Sequence, residues 1–199
     1  MKPVAIWGAL AGCLLIPAPD LSDARARRRP TPPPPAEWTV QPGSSLGFAA
    51  SMNGEQFNGT FRRWTAHIRF DPDNLSASKV DVAIDMTSAV TGNADRDAAL
   101  PDTPWFAAAR FRQATFHAEH FRKLGANRYA ADGVLTLRGV AKPLTLPFTL
   151  AITGANARMT AQVGVNRLAF GVGQGEWAST QVVPSAVTVT VALNARKAS

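Results

Sequence analysis

Two-residue alternation of apolar and polar side chains, repeated along most of the chain, is the feature that most constrains the fold. Leu46, Phe48 and Ala50 share a face within residues 45–51. Trp64, Ala66, Ile68 and Phe70 oppose Arg63, Thr65, His67 and Arg69. Val80, Val82 and Ile84 alternate with Asp81, Ala83 and Asp85, and Leu135 and Leu137 with Val134, Thr136 and Arg138. Leu144, Leu146, Phe148 and Leu150 alternate with Thr145, Pro147 and Thr149, and Val187, Val189, Val191 and Leu193 with Thr188, Thr190 and Ala192. A period of two over so many segments means half-buried strands. Asn53-Gly54, Asn58-Gly59, Asp71-Pro72-Asp73-Asn74, Asp132-Gly133 and Gly154-Ala155-Asn156 punctuate them as turns, and the short spacing favours antiparallel neighbours. Only Gly92 to Arg110 breaks the pattern, and reads as one or two short helices with Pro104 at a helix start. The chain is therefore expected to be all-β, about eight antiparallel strands with a short helical insertion. Closure into a barrel removes exposed edges. Eight strands are just wide enough for packed side chains or one small ligand, so the pattern alone leaves a plain β-sandwich, a filled barrel and a hollow barrel all open.

The termini read differently. Lys2 followed by the apolar run Val4 to Ile16 is a signal peptide by pattern, too short to span a bilayer, with cleavage expected after Ala26 (residues 1–26). Leu10-Ala11-Gly12-Cys13 also matches a lipoprotein box, which offers lipid anchoring at Cys13 as the minor alternative. Cys13 is the only cysteine, so a mature chain lacking it has neither a disulfide nor a thiolate metal site. Residues 27–37 form a basic, proline-rich linker expected to be extended. The globular domain spans residues 38–195, and residues 196–199 form a basic tail. The formal charge of +7 gathers at the ends. Between Trp38 and Asn194 there are 14 basic and 11 acidic residues, a net +3, which argues against a nucleic-acid face. Arg27 to Arg29 could hold the protein near an anionic membrane.

Four stretches carry a resemblance. Thr91 to Leu100 contains Arg96-Asp97-Ala98-Ala99-Leu100 and precedes the pair Trp105-Phe106. Asp132 to Leu146 reads DGVLTLRGVAKPLTL, Asn166 to Gly173 reads NRLAFGVG, and Gly59-Thr60-Phe61 stands early in the domain. Together they resemble the YceI-like family, bacterial periplasmic proteins with an extended lipocalin-like barrel that bind polyisoprenoid lipids. The resemblance covers essentially the whole domain, and the Asp132 to Leu146 hairpin is its most specific part.

The resemblance implies a lumen that takes an isoprenoid chain, from an isoprenoid quinone or a polyprenyl compound, in a periplasmic carrier or reservoir. The lumen candidates are Phe48, Ile68, Phe70, Val82, Ile84, Phe116, Leu135, Leu137, Leu146, Phe148 and Phe170, with Trp105 and Phe106 at the mouth and Arg96 as a head-group contact. Core and lumen wall look alike in sequence, so a filled barrel that docks a protein stays as the alternative. No cofactor, metal or catalytic group is expected. His117 and His120, three apart on a strand, should face opposite sides and accompany no other ligands. Asp95 and Asp97 fit a helix start better than an acid–base pair. Gly171-Val172-Gly173-Gln174-Gly175 lacks the spacing and helix of a dinucleotide loop and reads as a bend. No G-x-S-x-G nucleophile elbow occurs.

Overall fold

Each alternating run forms a strand. In chain order these are β1 (Glu37–Val40), β2 (Ser45–Met52), β3 (Glu55–Phe61), β4 (Trp64–Arg69), β5 (Lys79–Asp85), β6 (Ala89–Val90), β7 (Gln113–Lys123), β8 (Arg128–Leu137), β9 (Val140–Thr153), β10 (Asn156–Asn166) and β11 (Ala186–Lys197). The computed structural model describes residues 34–198. The expected signal peptide, Cys13, Arg27 to Arg29 and Ser199 lie outside the described residues.

All pairings are antiparallel. β1 and β2 lie end to end along one side of β11, with β3 and β4 beside them and β5 and β6 beyond. With β7 to β11 they make eight wall positions, closed where Trp38 pairs with Lys197. The architecture is a closed eight-stranded antiparallel barrel. Two hairpins turn on two residues with positive φ, Asn53-Gly54 (52° and 83°) and Arg138-Gly139 (52° and 74°), the backbone that matches the right-handed strand twist.

Several expectations need correction. Asn58-Gly59 and Asp132-Gly133 are not turns: they lie inside β3 and β8 and pair with β2 and β9. Arg196 and Lys197 do not form a tail: they finish β11 and pair with Thr39 and Trp38 of β1, a strand that starts at Glu37, inside the expected linker. The helical insertion holds one short helix, α1 (Ala94–Ala99), and Pro104 starts no second one. Pro101 and Pro104 have no N–H to give, and the segment folds into turns in which Phe106 N–H donates to Leu100 O and Ala107, at φ 47°, donates to Asp102 O. The Pro104 carbonyl instead accepts from the N–H groups of Gly173 and Gln174. Finally, a β-bulge between Ala118 and His120 shifts the register of β7. His117 then opposes Val134 and His120 opposes Asp132, so both histidines lie on the outer face.

The two ends of the barrel differ. At the loop end, the β2–β3 turn, residues 91–112 and residues 167–185 meet. There Asn53 N–H donates to Val182 O, and Arg138 Nη2 donates to Thr103 O at 2.8 Å. At the far end Phe70 stands edge-on to Phe121, Tyr129 and Phe148, with ring centroids 5.4–5.9 Å away. Such edge contacts are favoured by the ring quadrupoles. Trp38 Nε1 donates to Phe70 O at 2.9 Å. These aromatics make a floor.

One wall is incomplete. β9 pairs with β8 from Arg128↔Thr149 to Leu137↔Val140, but with β10 only from Thr153↔Asn156 to Phe148↔Ala161. Between residues 140–147 of β9 and 162–166 of β10 there is no ladder. Leu150 N–H donates to Asn127 O, next to β8, so even-numbered residues of β9 address β8. Pro143 and Pro147 therefore address β10, and have no N–H to offer it.

Candidate functional site: an apolar cavity inside the barrel

The inward phase of the strands does not fill the barrel. It encloses a cavity of about 650 Å³. Residues from β2 to β5 and from β7 to β11 line it, and they are aliphatic or aromatic almost throughout. Side chains that are charged or carry an amide reach the wall only at the loop end: Asn93, Asp95, Arg96 and Arg167.

Of the lumen residues expected from the sequence, Phe48, Ile68, Phe70, Val82, Ile84, Phe116, Leu135, Leu137, Leu146 and Phe148 line the cavity, as do Trp105 and Phe106 from the insertion. Phe170 does not. It is buried at 4% exposure in the core that packs the loop end, within the 3₁₀ turn Arg167–Phe170 that follows β10. The chain has left the strand there, so the inward parity no longer applies. Phe48 is held across the sheet by Gly59, where a Cβ would stand 2.2 Å from its ring; only glycine leaves room for that ring. Phe48, Phe61 and Phe106 then pack in series with their rings tilted by 45° and 44°, centroids 5.4 and 6.2 Å apart.

Arg96 sits on α1, which is capped by the Asn93 side chain accepting from Arg96 N–H at 2.9 Å. Its Nε donates to Thr91 Oγ1 at 3.0 Å, and its guanidinium lies 4.0 Å from the centre of the Phe57 ring. Asp97 accepts from both the hydroxyl and the backbone N–H of Thr91, at 2.6 Å each. The Thr91 hydroxyl above all holds the Asp97 carboxyl below its ordinary pKa. Asp97 thus fixes Thr91, and Thr91 fixes Arg96.

The sequence reading missed Arg167. It is buried at 3% exposure and pairs with no carboxylate among the described residues. Its guanidinium donates instead to five backbone carbonyls: Pro184 (3.0 Å), Val172 (2.8 Å), Trp177 (2.8 Å), Ser179 (3.4 Å) and Val183 (2.7 Å). Burial lowers its pKa, yet a guanidinium stays charged. Gly173 makes room, since a Cβ there would stand 1.8 Å from Nη1. Arg167 thereby pins residues 172–184, whose Trp177 packs 5.4 Å from Trp105 over the cavity. The readable signal was an arginine followed four and six residues later by glycines.

The YceI-like domain profile matches residues 38–195. The chain belongs to the YceI-like family. Among curated relatives, a UPF0312 protein of Vibrio campbellii is 33% identical over 104 residues, 52% of this chain and 55% of that one. The chain spans about half the length of the curated relatives it matches. Among solved structures, Burkholderia cenocepacia BcnA superposes with a TM-score of 0.74 at 29% identity, over 76% of this chain and 95% of that one. A polyisoprenoid binding domain from Saccharophagus degradans, implicated in plant cell wall breakdown, superposes with a TM-score of 0.66 at 14% identity, covering 82% and 99%. At that identity it shares the fold.

Proposed function

We propose that this YceI-like protein binds a long-chain isoprenoid lipid, an isoprenoid quinone or a polyprenyl compound, in its barrel lumen and serves as a periplasmic carrier or reservoir. The observation that carries this reading is the cavity: an apolar space of about 650 Å³ with its polar wall groups gathered at one end. Its polarity matches a molecule with a long hydrocarbon chain and one polar head. At about 30 Å³ per water-sized group, that volume takes on the order of twenty carbons, about four isoprene units. Each buried methylene contributes about 0.8 kcal/mol, so a chain of this length binds without polar anchors along its course. The Saccharophagus domain, described as polyisoprenoid binding, has the same architecture and supports the reading.

Arg96 is the head-group contact in this proposal. Held by Thr91 and Phe57 at the polar end, it presents donors to a phosphate or a quinone carbonyl. The expected signal peptide supplies export, and Arg27 to Arg29 contact an anionic membrane surface. A filled, partner-docking barrel is disfavoured because side chains would have to occupy the space that is empty. The reading is of a binding protein rather than an enzyme. Among the described residues, Asp95 is the one carboxylate on the cavity wall, with no histidine or second carboxylate beside it there, and Arg167 is committed to backbone carbonyls.

Organic extraction of protein purified from a quinone-producing bacterial host, followed by mass spectrometry, tests the proposal. A near-stoichiometric isoprenoid is expected. A clean extract from well-folded protein, together with no uptake of added geranylgeraniol, overturns it.

A further inference from the structure

The unpaired half of the β9–β10 boundary opens onto the same cavity. Leu144 and Leu146 of β9 and Val163 and Val165 of β10 all line it. By continuation of the observed register, Leu146 stands opposite Val163 and Leu144 opposite Val165. Over this stretch no ladder hydrogen bonds join the two strands, and Leu144 and Val165 belong to one apolar cluster. Most of the rest of the wall is closed by backbone pairing, including the seam between β1 and β11; the exception is β6, which pairs only with β3, and there Leu100 and Phe106 of the insertion pack in one cluster with Phe57 and Phe61. Parting β9 from β10 therefore breaks only side-chain contacts, and an incoming hydrocarbon replaces those in kind.

The outer surface along this boundary agrees. It presents Ala141, Pro143, Thr145 and Pro147 on β9 and Gln162 and Gly164 on β10, themselves uncharged, with Lys142 exposed at one end, Arg128 beside Pro147 and Gln162 at the other, and Asp132 accepting from Thr145 Oγ1. Across the barrel, the outward residues of β4 and β5 include His67, Arg69, Lys79, Asp81 and Asp85. Charged groups ringing a passage would have to desolvate as a hydrocarbon crossed it. At the β9–β10 boundary the residues that face each other on the outer surface, Thr145 opposite Gly164 and Pro147 opposite Gln162 by continuation of the register, carry no charge.

We infer that the β9–β10 boundary is a lateral portal, through which the isoprenoid chain enters and leaves the lumen sideways, with Pro143 and Pro147 keeping it unzipped. This inference rests on the lipid-binding reading and adds the route. A sideways route suits a long flexible chain, which need not thread lengthwise past the loops that Arg167 pins at one end or the aromatic floor at the other.

The test is the double variant Pro143→Thr/Pro147→Thr in the full chain, which restores two N–H donors facing β10. The readout is stopped-flow transfer of geranylgeraniol from phosphatidylcholine vesicles, followed by tryptophan fluorescence, to which Trp38, Trp64, Trp105 and Trp177 on the cavity wall contribute. Both uptake and release should slow about tenfold, the effect of two recovered backbone hydrogen bonds, while equilibrium affinity stays the same. A second variant, Val163→Trp, plugs the boundary from the inside and should slow both rates whether or not the ladder forms. If neither variant slows transfer, or if Ala99→Trp at the loop end slows it and these do not, the portal is wrong. Failure of the wild-type protein to bind geranylgeraniol at all counts against the lipid reading itself, and is recognisable because no variant then gives a signal.

Discussion

Replacing Arg167 with methionine keeps the length of the side chain and removes every donor that holds residues 172–184. Five backbone carbonyls lose their partner. A buried acceptor left without a donor costs about 1–3 kcal/mol, but a surface segment released from its pin rehydrates some of its carbonyls. The expected loss is therefore about 4 kcal/mol, well below the sum of five independent penalties. For a domain of this size each kcal/mol lowers Tm by about 2–4 °C, which places the shift at roughly 8–16 °C. Urea unfolding followed by tryptophan fluorescence, with a thermal scan by circular dichroism, gives both numbers.

Arg167→Lys separates charge from geometry. A single ammonium cannot reach carbonyls that fan around a planar guanidinium, so lysine should recover less than half of the loss. Gly173→Ala tests the same contact from the other side, because its Cβ would stand 1.8 Å from Nη1. In the Arg167→Met background the alanine should cost far less than in the wild type, as expected of two residues sharing one interaction. A loss below about 1 kcal/mol for Arg167→Met, or full rescue by lysine, would refute the assignment of Arg167 as the pin.

Three further outcomes follow from the structure. Asp85 and Asp132 are both held at a pKa of about 2, the first mainly by the Thr87 hydroxyl and the second by Arg122 and then Thr145. Depressed carboxyls stabilise the fold above their unfolded pKa of about 4, and that contribution disappears as pH falls through the folded value. The urea midpoint should therefore hold steady down to about pH 5 and decline between about pH 4 and pH 2, with a shallower decline in Asp132→Asn. Gly59→Ala forces a Cβ against the Phe48 ring and should cost about 2 kcal/mol in urea unfolding, with weaker geranylgeraniol binding as Phe48 is pushed off the wall. In titrations of prenyl alcohols, affinity should rise more than about tenfold from fifteen to twenty carbons, at about 0.8 kcal/mol per buried methylene. It should rise less than about threefold beyond that, because the cavity is then full.

Most of the barrel is legible because strand parity and turn chemistry are local. Asn53-Gly54 fixes its hairpin by backbone conformation alone, and the alternation in β4, β5 and β11 assigns inside and outside unambiguously; the turn at Arg138-Gly139 carried no asparagine or aspartate to mark it, while Asn58-Gly59 and Asp132-Gly133 did and lie inside strands. What escapes the reading is what parity cannot count. The bulge at Ala118/His120 inserts one residue into β7 and moves His120 to the face of His117; nothing in Ala118-Glu119-His120 marks it, since no glycine or proline stands there. Phe170 looks like an inward strand residue, but Asn166 caps a 3₁₀ turn by accepting from Leu168 N–H, and the chain turns away from the wall before Phe170 is reached. The prolines of β9 were visible and read only as members of an alternating strand. Their consequence depends on which neighbour each N–H would have faced, and that needs the register with β8.

The cavity itself follows from a mismatch that a sequence does not display. Alternation specifies which side chains point inward, not whether they meet. Around an eight-position wall, the inward sets of β7, β8 and β10 mix large residues with small ones: Ala114 beside Phe116, Ala131 before Leu135, and Ala157 and Ala161 flanking Met159. The large side chains gather at the floor, where Phe70, Phe121, Tyr129 and Phe148 touch, and at the loop end, where Phe48, Phe61 and Phe106 touch. Between these two packed layers the wall is largely aliphatic, and its side chains are too short to meet across the lumen. An apolar void of this size forfeits the contacts that a close-packed interior makes, and it leaves Ile68, Val82 and Leu146 without partners on their inner side. A hydrocarbon chain lying between the two aromatic layers would supply those contacts. It would also raise the stability of the fold in proportion to its affinity, so the same side chains that leave the barrel underpacked are the ones that give a lipid a reason to stay.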